Sequence, residues 1–440
     1  MAERSQKRKA EMSLSDEERM AVVSHYLHNR GYASEKVYED KALPLLRDFY
    51  AEDSFQGRAD GILAERSVQA SLFPQFFSVP FPETRCPDFT FIVLFAGIGG
   101  FRIALQNQGG RCVYSSEWDV QAQKTYLANF GEMPFGDITC ASTKAFIPDR
   151  FDVLCAGFPC QLFSISGRQK GFEDTRGTLF FDICQILDEK RPPVVFLENV
   201  KHLMYHDGGK TLNTILEKLS GLGYKVSWRI LNGADYGVPQ NRERIIIIGS
   251  RDKLFDFGSL RTMPRRPLKD FLDKSGDFEY LDPSEYTLLE QMHQQPRSGL
   301  IFAGYRNKSI RKVGVRPGTE HLSRVHKQPN RIYSVEGIHP TLPSQESSGR
   351  FFILTEDRRV RKLTISECWR IMGFPDEYVK VSAVGQQYKQ LGNSVCVKMI
   401  EAIGKEIKRQ LLFSGEYGTK GNIKYPHLVA WNEIISKTVF

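Results

Sequence analysis

Long hydrophobic stretches are missing from this 440-residue sequence, whose longest aliphatic run is the four residues 245–248. A helix that spans a membrane needs about 20 predominantly apolar residues, so the sequence predicts no membrane contact. No apolar segment follows Met1, and a secretory signal peptide would require one. We therefore expect a cytoplasmic protein.

Cysteines are few and widely spaced, which excludes several classes of site. The eight cysteines form no CxxC pair and no close Cys/His cluster with the spacing of a zinc site. Reduced thiols in a cytosolic protein are the interpretation that this pattern favours. We predict no metal site and no disulfide framework.

The excess of positive over negative charge is small over the whole sequence but is concentrated in one segment. The net charge is only +8, and residues 1–88 carry 12 basic and 15 acidic side chains. Residues 297–331, in contrast, contain nine basic residues and a single acid, Glu320. Such a stretch is typical of a polyanion contact, because neutralised phosphates release counterions. A solvated surface loop would show the same charge, and the composition does not choose between the two.

No internal repeat or low-complexity tract is present, and three zones differ in pattern. Residues 1–88 form the first zone, where Ser15 followed by Glu18 predicts a capping box and residues 29–31 predict a helix stop. Two short helices here could form a helix-turn-helix, although helical pairs are common in any extension. We predict an N-terminal accessory segment.

The second zone alternates short apolar strands with longer helical stretches. The predicted strands are residues 89–96, 111–116, 151–158, 194–199, 226–231 and 245–248. Buried strands joined by crossover helices predict an α/β, doubly wound, Rossmann-like domain with a parallel sheet. Beyond residue 250 frequent prolines indicate a smaller, irregular domain. Helical periodicity returns at 364–372 and 395–412, so the C-terminal end is expected to rejoin the first domain.

Polar residues and a glycine-rich turn follow successive strands of the predicted sheet. Residues 95–100, Phe-Ala-Gly-Ile-Gly-Gly, link the first strand to a helix, and glycines there let the backbone approach a ligand. Glu117 ends the next strand and could bind ribose hydroxyls, while the Trp118 indole could lie against an adenine ring. Asp137 could accept a hydrogen bond from the adenine amino group. Together they predict a site for a nucleoside cofactor.

Cys160 follows the predicted strand 151–158, and Glu198 lies near the end of the predicted strand 194–199. Cys160 comes directly after Pro159 and begins a polar, glycine-containing loop, unlike Cys155, which lies within an apolar strand. Glu198 comes after four apolar residues, where burial raises the pKa of a carboxyl group. The pair predicts a nucleophilic thiol opposite a proton donor.

The order of these and other motifs resembles that of the DNA (cytosine-5) methyltransferase family. The resemblance covers about residues 89–410, and the single compact array is similar to that of bacterial modification methylases of restriction-modification systems. The motifs that carry it start at Phe95, Glu117, Gly136, Gly157, Gly177, Glu198, Gln240, Arg361 and Gly392.

The resemblance implies a reaction and a role for each matching residue. Cys160 would attack carbon 6 of a cytosine rotated out of the helix, while Glu198 would protonate ring nitrogen 3. Arg244 would contact the carbonyl oxygen of that base, with Arg242 as a supporting site residue. The implied cofactor is S-adenosyl-L-methionine, and the implied cofactor-binding residues are Phe95, Gly97, Gly99, Glu117, Trp118, Asp137, Ile138, Leu179, Asn393 and Val395.

The resemblance also implies a division into domains. Residues 1–88 would be the accessory extension, 89–270 the catalytic domain and 271–363 a β-rich target-recognition domain. Residues 364–391 would form a hinge and helical segment, and 392–440 would return to the catalytic domain.

Double-stranded DNA is the implied partner, together with a functional pairing to a restriction endonuclease. The chain would then act as a monomer near the bacterial nucleoid. Gln328 aligns with a side chain that fills the gap left by the flipped base in some relatives. The residues expected to contact DNA are Gln161, Ser164, Ser166, Lys308, Arg311, Lys312, Gln328, Arg331 and Thr341.

Two departures and two alternatives accompany this interpretation. Val93 stands where the family usually has Asp, which puts cofactor affinity in question, and Leu162 stands where Pro or Ala is common. One alternative is a tRNA cytosine-5 methyltransferase, although the Cys-Phe-Thr element of that branch is missing. The other is a DNA-binding regulator that uses residues 1–88.

Overall fold

The computed structural model describes residues 14–52, 74–159, 179–308, 318–344 and 351–413. Among these residues no helix combines the length and apolar character needed to cross a membrane. The strands, numbered in chain order, are β1 (Phe89–Leu94), β2 (Gly110–Ser116), β3 (Val153–Gly157), β4 (Val194–Val200), β5 (Lys225–Asn232), β6 (Gln240–Asn241), β7 (Glu243–Ser250), β8 (Tyr286–Gln294), β9 (Ile301–Arg306), β10 (Arg331–Ser334), β11 (His339–Pro340), β12 (Phe352–Leu354) and β13 (Val360–Lys362).

The helices are named in the same way. They are α1 (Asp16–Asn29), α2 (Lys36–Glu52), α3 (Pro74–Phe77), α4 (Gly100–Gln106), α5 (Val120–Phe130), α6 (Ala141–Lys144), α7 (Leu179–Lys190), α8 (Lys210–Gly221), α9 (Ile365–Arg370), α10 (Val384–Asn393) and α11 (Val397–Ile407).

The larger sheet has the strand order β2-β1-β3-β4-β7-β5 and contains all six predicted strands. Strands β1 to β4 are parallel, as expected, but β7 runs antiparallel to both β4 and β5. The expected parallel arrangement therefore holds for β1 to β4, and the sheet departs from it at this edge. The physical reason is the link between β5 and β7, because residues 233–242 are too few for the helical crossover that a parallel return needs.

Helices cover both faces of this sheet, as a doubly wound fold requires. Helices α4, α9 and α11 contribute to the core on one face, and α1, α7 and α8 contribute to the core on the other. Helix α11 packs against α4, where a side chain in place of Gly404 would overlap Leu105. Through this contact the C-terminal helix α11 lies against α4 of the first domain.

The N-terminal helices pack on the edge strand β2. The predicted capping box is present, because the Glu18 amide donates to the Ser15 hydroxyl and the Ser15 amide donates to the Glu18 carboxylate. Tyr38 donates a hydrogen bond to the Val113 carbonyl. The exposed described residues of this segment carry balanced charge, which gives no support to operator binding. The boundary at residue 88 stays a prediction.

The smaller sheet has the order β13-β12-β10-β9-β8 and forms the centre of the second predicted domain. Its neighbours are antiparallel except for β10 and β12. A separate two-stranded sheet pairs β6 of the first domain with β11 of the second. This pairing places the second domain beside the start of β7.

Candidate active site

The glycine-rich turn after β1 is held in an unusual backbone conformation. Phe95 has a φ of 55°, Gly97 of 54° and Gly99 of 87°. A side chain at position 99 would overlap the ring of Phe130, and one at Gly100 would lie 2.8 Å from Val395. A non-glycine residue such as Phe95 adopts a positive φ only at a cost, which is typical of functional sites.

Glu117 holds this turn from the end of the neighbouring strand. Its carboxylate accepts hydrogen bonds from the amide of Gly97 at 2.7 Å and from the amide of Asp119 at 2.8 Å. Burial raises the pKa of Glu117, and the two amides oppose that shift. Val93 is fully buried among apolar side chains and takes no part in the turn. The side chain that supports the glycine turn by hydrogen bonds is therefore Glu117, and Val93 gives no such support.

The other predicted cofactor residues differ in their exposure. Trp118 is 77% exposed, and Asp137 and Asn393 are exposed as well. Leu179 is half-buried. The remaining apolar members of the group, Ile138 and Val395, are buried. An exposed indole is a group that can pack against an adenine ring, and an exposed carboxylate is one that can accept from its amino group.

Glu198 and Arg244 form an ion pair on the two neighbouring strands β4 and β7. The Nε atom of Arg244 lies 2.9 Å from Oε1 of Glu198, and both side chains are about nine-tenths buried. Burial raises the pKa of Glu198, while Arg244 and Arg242 oppose the shift. A carboxyl group in this position is able to take up and deliver a proton.

The end of β3 brings the chain to this carboxylate. Gly157 is paired with Glu198 in the sheet, and a Cβ atom at Gly157 would lie 3.6 Å from Oε2 of Glu198 and 3.8 Å from Val395. The side chain of Asn199 donates to the carbonyl of Phe158 at 2.8 Å and so fixes the exit of the strand. Cys160, Gln161, Ser164 and Ser166 lie outside the described residues.

Arg242 is buried, and its hydrogen-bond partners are backbone carbonyls rather than the Glu198 carboxylate. It donates to the backbone carbonyls of Leu342 at 3.2 Å, Gly392 at 2.8 Å and Ser394 at 2.5 Å. Burial lowers the pKa of Arg242 to about 9, which leaves it protonated at neutral pH. The supporting role expected from the motif is in the structure a link between three segments of the chain.

The residues expected to contact DNA have diverse environments. Lys308 and Gln328 are exposed, whereas Arg331 is half-buried and donates to the carbonyl of His326. Thr341 donates to the Asn241 carbonyl and so anchors the second domain to the first. Arg311 and Lys312 lie outside the described residues.

One cation of the basic stretch, Arg306, has partners within the smaller sheet. Arg306 forms an ion pair with Glu285 at 3.0 Å and lies over the ring of Phe352, so it helps to hold the smaller sheet together. The strand β10 is largely buried. These positions are therefore poorly placed to contact base edges.

Two site residues received no role from the sequence. Asn199 donates to the Phe158 carbonyl, and the fully buried Gln240 donates to the Ile371 carbonyl and accepts from the Leu342 amide. The only available signal was their presence in the motifs that start at Glu198 and Gln240, because hydrogen bonds to distant backbone groups leave no local pattern.

Comparisons with known proteins agree with this geometry. A family model described as C-5 cytosine-specific DNA methylase matches residues 89–409. The chain is 43% identical over 370 residues to the type II methyltransferase M.HpaII of Haemophilus parainfluenzae, which covers 80% of this chain and 97% of that protein. It is 44% identical over 336 residues to the type II methyltransferase M.HhaI of Haemophilus parahaemolyticus, which covers 73% of this chain and 95% of that protein.

Solved structures show the same fold at low sequence identity. The S. pombe Dnmt2 methyltransferase superimposes with a TM-score of 0.53 at 19% identity, over 73% of this chain and 99% of that chain. The fold predicted from the motifs is confirmed by this likeness.

Proposed function

The chain belongs to the C-5 cytosine-specific DNA methylase family, and from this premise we propose that it methylates a cytosine flipped out of a specific double-stranded DNA sequence, with S-adenosylmethionine as methyl donor. The chain is a DNA (cytosine-5-)-methyltransferase. We propose S-adenosylmethionine as the cofactor and a covalent mechanism, and we assign residues of this chain to both. The observation that supports it most is the buried pair of Glu198 and Arg244 beside the end of β3.

The residues around the glycine turn fit the cofactor. Asp137 accepts a hydrogen bond from the Thr139 amide through one oxygen, which leaves the other oxygen available to an amino group. Trp118 offers an exposed ring, and each Glu117 oxygen keeps acceptor capacity beyond its one amide bond. S-adenosylmethionine, when bound, supplies an electrophilic methyl group. We assign Phe95, Glu117, Trp118, Asp137 and Asn393 to its binding.

Cys160 and Glu198 carry the proposed chemistry on the base. The Cys160 thiolate adds to carbon 6 of cytosine, and Glu198 delivers a proton to ring nitrogen 3, so that no charge accumulates on the ring. Arg244 donates to the carbonyl oxygen of the base and keeps the Glu198 carboxyl group in place. Once carbon 5 carries the methyl group, water takes its proton, ring nitrogen 3 returns its proton to Glu198, and the bond between carbon 6 and the Cys160 sulfur breaks, which releases the thiolate and restores the aromatic ring.

A trapping experiment tests the covalent mechanism. In a duplex with 5-fluorocytosine at the methylated position, fluorine cannot leave as a cation, so the full-length protein should form an adduct with DNA that survives denaturation. Cys160→Ser should form none, because an alkoxide is far less accessible than a thiolate at neutral pH. Retention of DNA binding by this variant, measured by gel shift, is the control. Full turnover by Cys160→Ser would contradict the mechanism.

The biological role that we propose is protection of DNA from a restriction endonuclease. Plasmid DNA recovered from cells that express the chain should carry 5-methylcytosine at one short sequence and should resist an endonuclease that cuts there. A parallel assay on tRNA separates the alternative substrate. Methylation of tRNA without methylation of the plasmid would contradict the assignment to DNA.

A further inference from the structure

Gln240 and Arg242 are buried polar side chains at β6, and the reaction proposed above gives neither of them a contact with the base. Both are at least 99% buried. Buried polar groups are expensive unless hydrogen bonds satisfy them, so the partners of these two side chains indicate what they do.

The first set of partners belongs to the second domain. Gln240 accepts a hydrogen bond from the Leu342 amide at 3.2 Å, and Arg242 donates to the Leu342 carbonyl at 3.2 Å. The amide of His339 donates to the carbonyl of Pro239 at 2.7 Å. The peptide groups of Leu342 are thus held on both sides by β6 and the residue that follows it.

The second set of partners belongs to the C-terminal segment. Arg242 donates through Nη2 to the carbonyls of Gly392 and Ser394, which flank Asn393. Gly392 lies so close to the backbone of Pro343 that no side chain fits at position 392. The segment that presents Asn393 and the segment that anchors the second domain therefore touch each other and share one guanidinium group.

From this geometry we propose that Arg242 is a positioning residue that couples cofactor binding to the docking of DNA. Contact of DNA with the second domain acts on the anchor at Leu342, and binding of the cofactor acts on Asn393. Because Arg242 donates to both segments, an arrangement of the two segments that favours binding of one ligand also favours binding of the other. The inference rests on the proposed function, since it takes Asn393 to the cofactor and the second domain to DNA.

The chemistry of the side chain explains why arginine is needed. Its planar guanidinium carries five N–H donors in a fixed fork. Here Nη1 and Nη2 donate to three backbone carbonyls. Nε has no partner among the described residues. A lysine would keep the charge, but its compact ammonium group on a flexible chain does not reproduce this geometry.

Binding measurements with Arg242→Lys test the coupling. The probe is S-adenosylhomocysteine, which does not turn over, and its Kd is measured by calorimetry without DNA and with a saturating duplex that wild type methylates. Allosteric coupling typically changes affinity by about 5- to 150-fold, and we expect the wild-type ratio of the two Kd values to lie in this range. In Arg242→Lys the ratio should fall towards one.

Arg102→Lys is the matched control. Arg102 is also fully buried, but its partners Glu132, Tyr126 and Gln106 all lie within the first domain. This variant should lower Tm and leave the ratio unchanged. If Arg242→Lys fails to fold, Gln240→Met removes one contact with Leu342 and should lower the ratio to a smaller extent.

The outcomes that overturn the inference differ from those that overturn the proposed function. A wild-type ratio of one, or an unchanged ratio in Arg242→Lys despite a lower Tm, would leave Arg242 with a purely structural role. An equal loss of the ratio in Arg102→Lys would have the same meaning. If the wild-type chain instead failed to methylate DNA at all, the proposed function would fall before any ratio was measured.

Discussion

Two buried glutamates, each beside an arginine, have opposite electrostatic environments. Glu132 is completely buried and accepts from Arg102 at 2.6 Å and from the Ser115 hydroxyl at 2.9 Å. These donors hold the pKa of Glu132 down to about 2 despite its burial. Glu198 has a single arginine partner at 2.9 Å, and burial raises its pKa.

The difference lies in the number of donors and in access to the solvent. The carboxylate of Glu132 accepts two hydrogen bonds on Oε1, stays charged and holds α1, α4 and β2 together, with His25 3.3 Å away. The carboxylate of Glu198 retains about a tenth of its exposure and has spare acceptor capacity on the side of the strand ends. A buried ion pair is thus a structural link in one region of the molecule and a reactive group in the other.

Replacing Glu198 with Gln should have the largest effect on catalysis. The amide keeps the shape but cannot deliver a proton, so we expect kcat to fall by about 10²- to 10⁴-fold. Single-turnover methylation of a duplex is the measurement. A Tm close to that of wild type is the control, and nearly unchanged kcat would show that another group protonates the base.

Glu132→Gln should show the reverse pattern. Breaking a buried pair leaves the Arg102 charge without compensation, which costs about 3 to 5 kcal/mol of unfolding free energy. Denaturant titration measures this loss. The turnover of the folded fraction should stay near that of wild type, and a selective loss of kcat without a loss of stability would contradict the division between the two glutamates.

Acid sensitivity should come from the region around Glu132. Burial lowers the pKa of His25 and of His28 to about 4, so stability is complete above about pH 6.5 and is lost as the pH falls towards 4. The depressed pKa of Glu132 adds a loss between about pH 4.5 and 2, worth about 3 kcal/mol. Denaturant titrations at several pH values test this. Glu132→Gln should lack the lower part of the loss.

The sequence allowed the prediction of all six strands of the larger sheet, because strand patterns are local. The roles of the candidate site residues stay predictions, since they come from the motifs. The antiparallel direction of β7 followed from the length of a link that the strand pattern did not reveal. The roles of Arg242 and Thr341 were missed, since both bond to backbone groups about 100 residues or more away. The charge pattern of residues 297–331 does not reveal that Arg306 belongs to the smaller sheet, because its partner Glu285 lies outside that stretch.

Trp118→Ala should weaken cofactor binding, with an effect smaller than those of the two glutamate variants. Trp118 follows Glu117 and is 77% exposed, so its removal should cost little stability. Loss of an aromatic contact with adenine should cost about 1 to 3 kcal/mol of binding free energy and so raise the Kd for S-adenosylmethionine. Calorimetry measures this value. An unchanged Kd would show that the adenine ring binds elsewhere.

Exposed cations of the second domain offer the smallest effect per residue and the clearest contrast with the buried pairs. Lys308, Arg324 and Lys327 are exposed and form no ion pair with the described residues. If they contact phosphates, replacing all three with Gln should weaken binding to every DNA sequence. The slope of log K against log[salt] should become flatter by about three contacts. Stability should change little, because exposed charges contribute little to folding.

The matched control for this triple variant is Arg306→Gln, which removes a cation that is paired with Glu285 and stacked on Phe352. It should lower Tm while the salt slope stays near the wild-type value. Binding to cognate and scrambled duplexes across a salt series distinguishes the two variants. An unchanged slope in the triple variant would place the DNA path on another face of the second domain, because phosphate neutralisation contributes to the slope wherever it occurs.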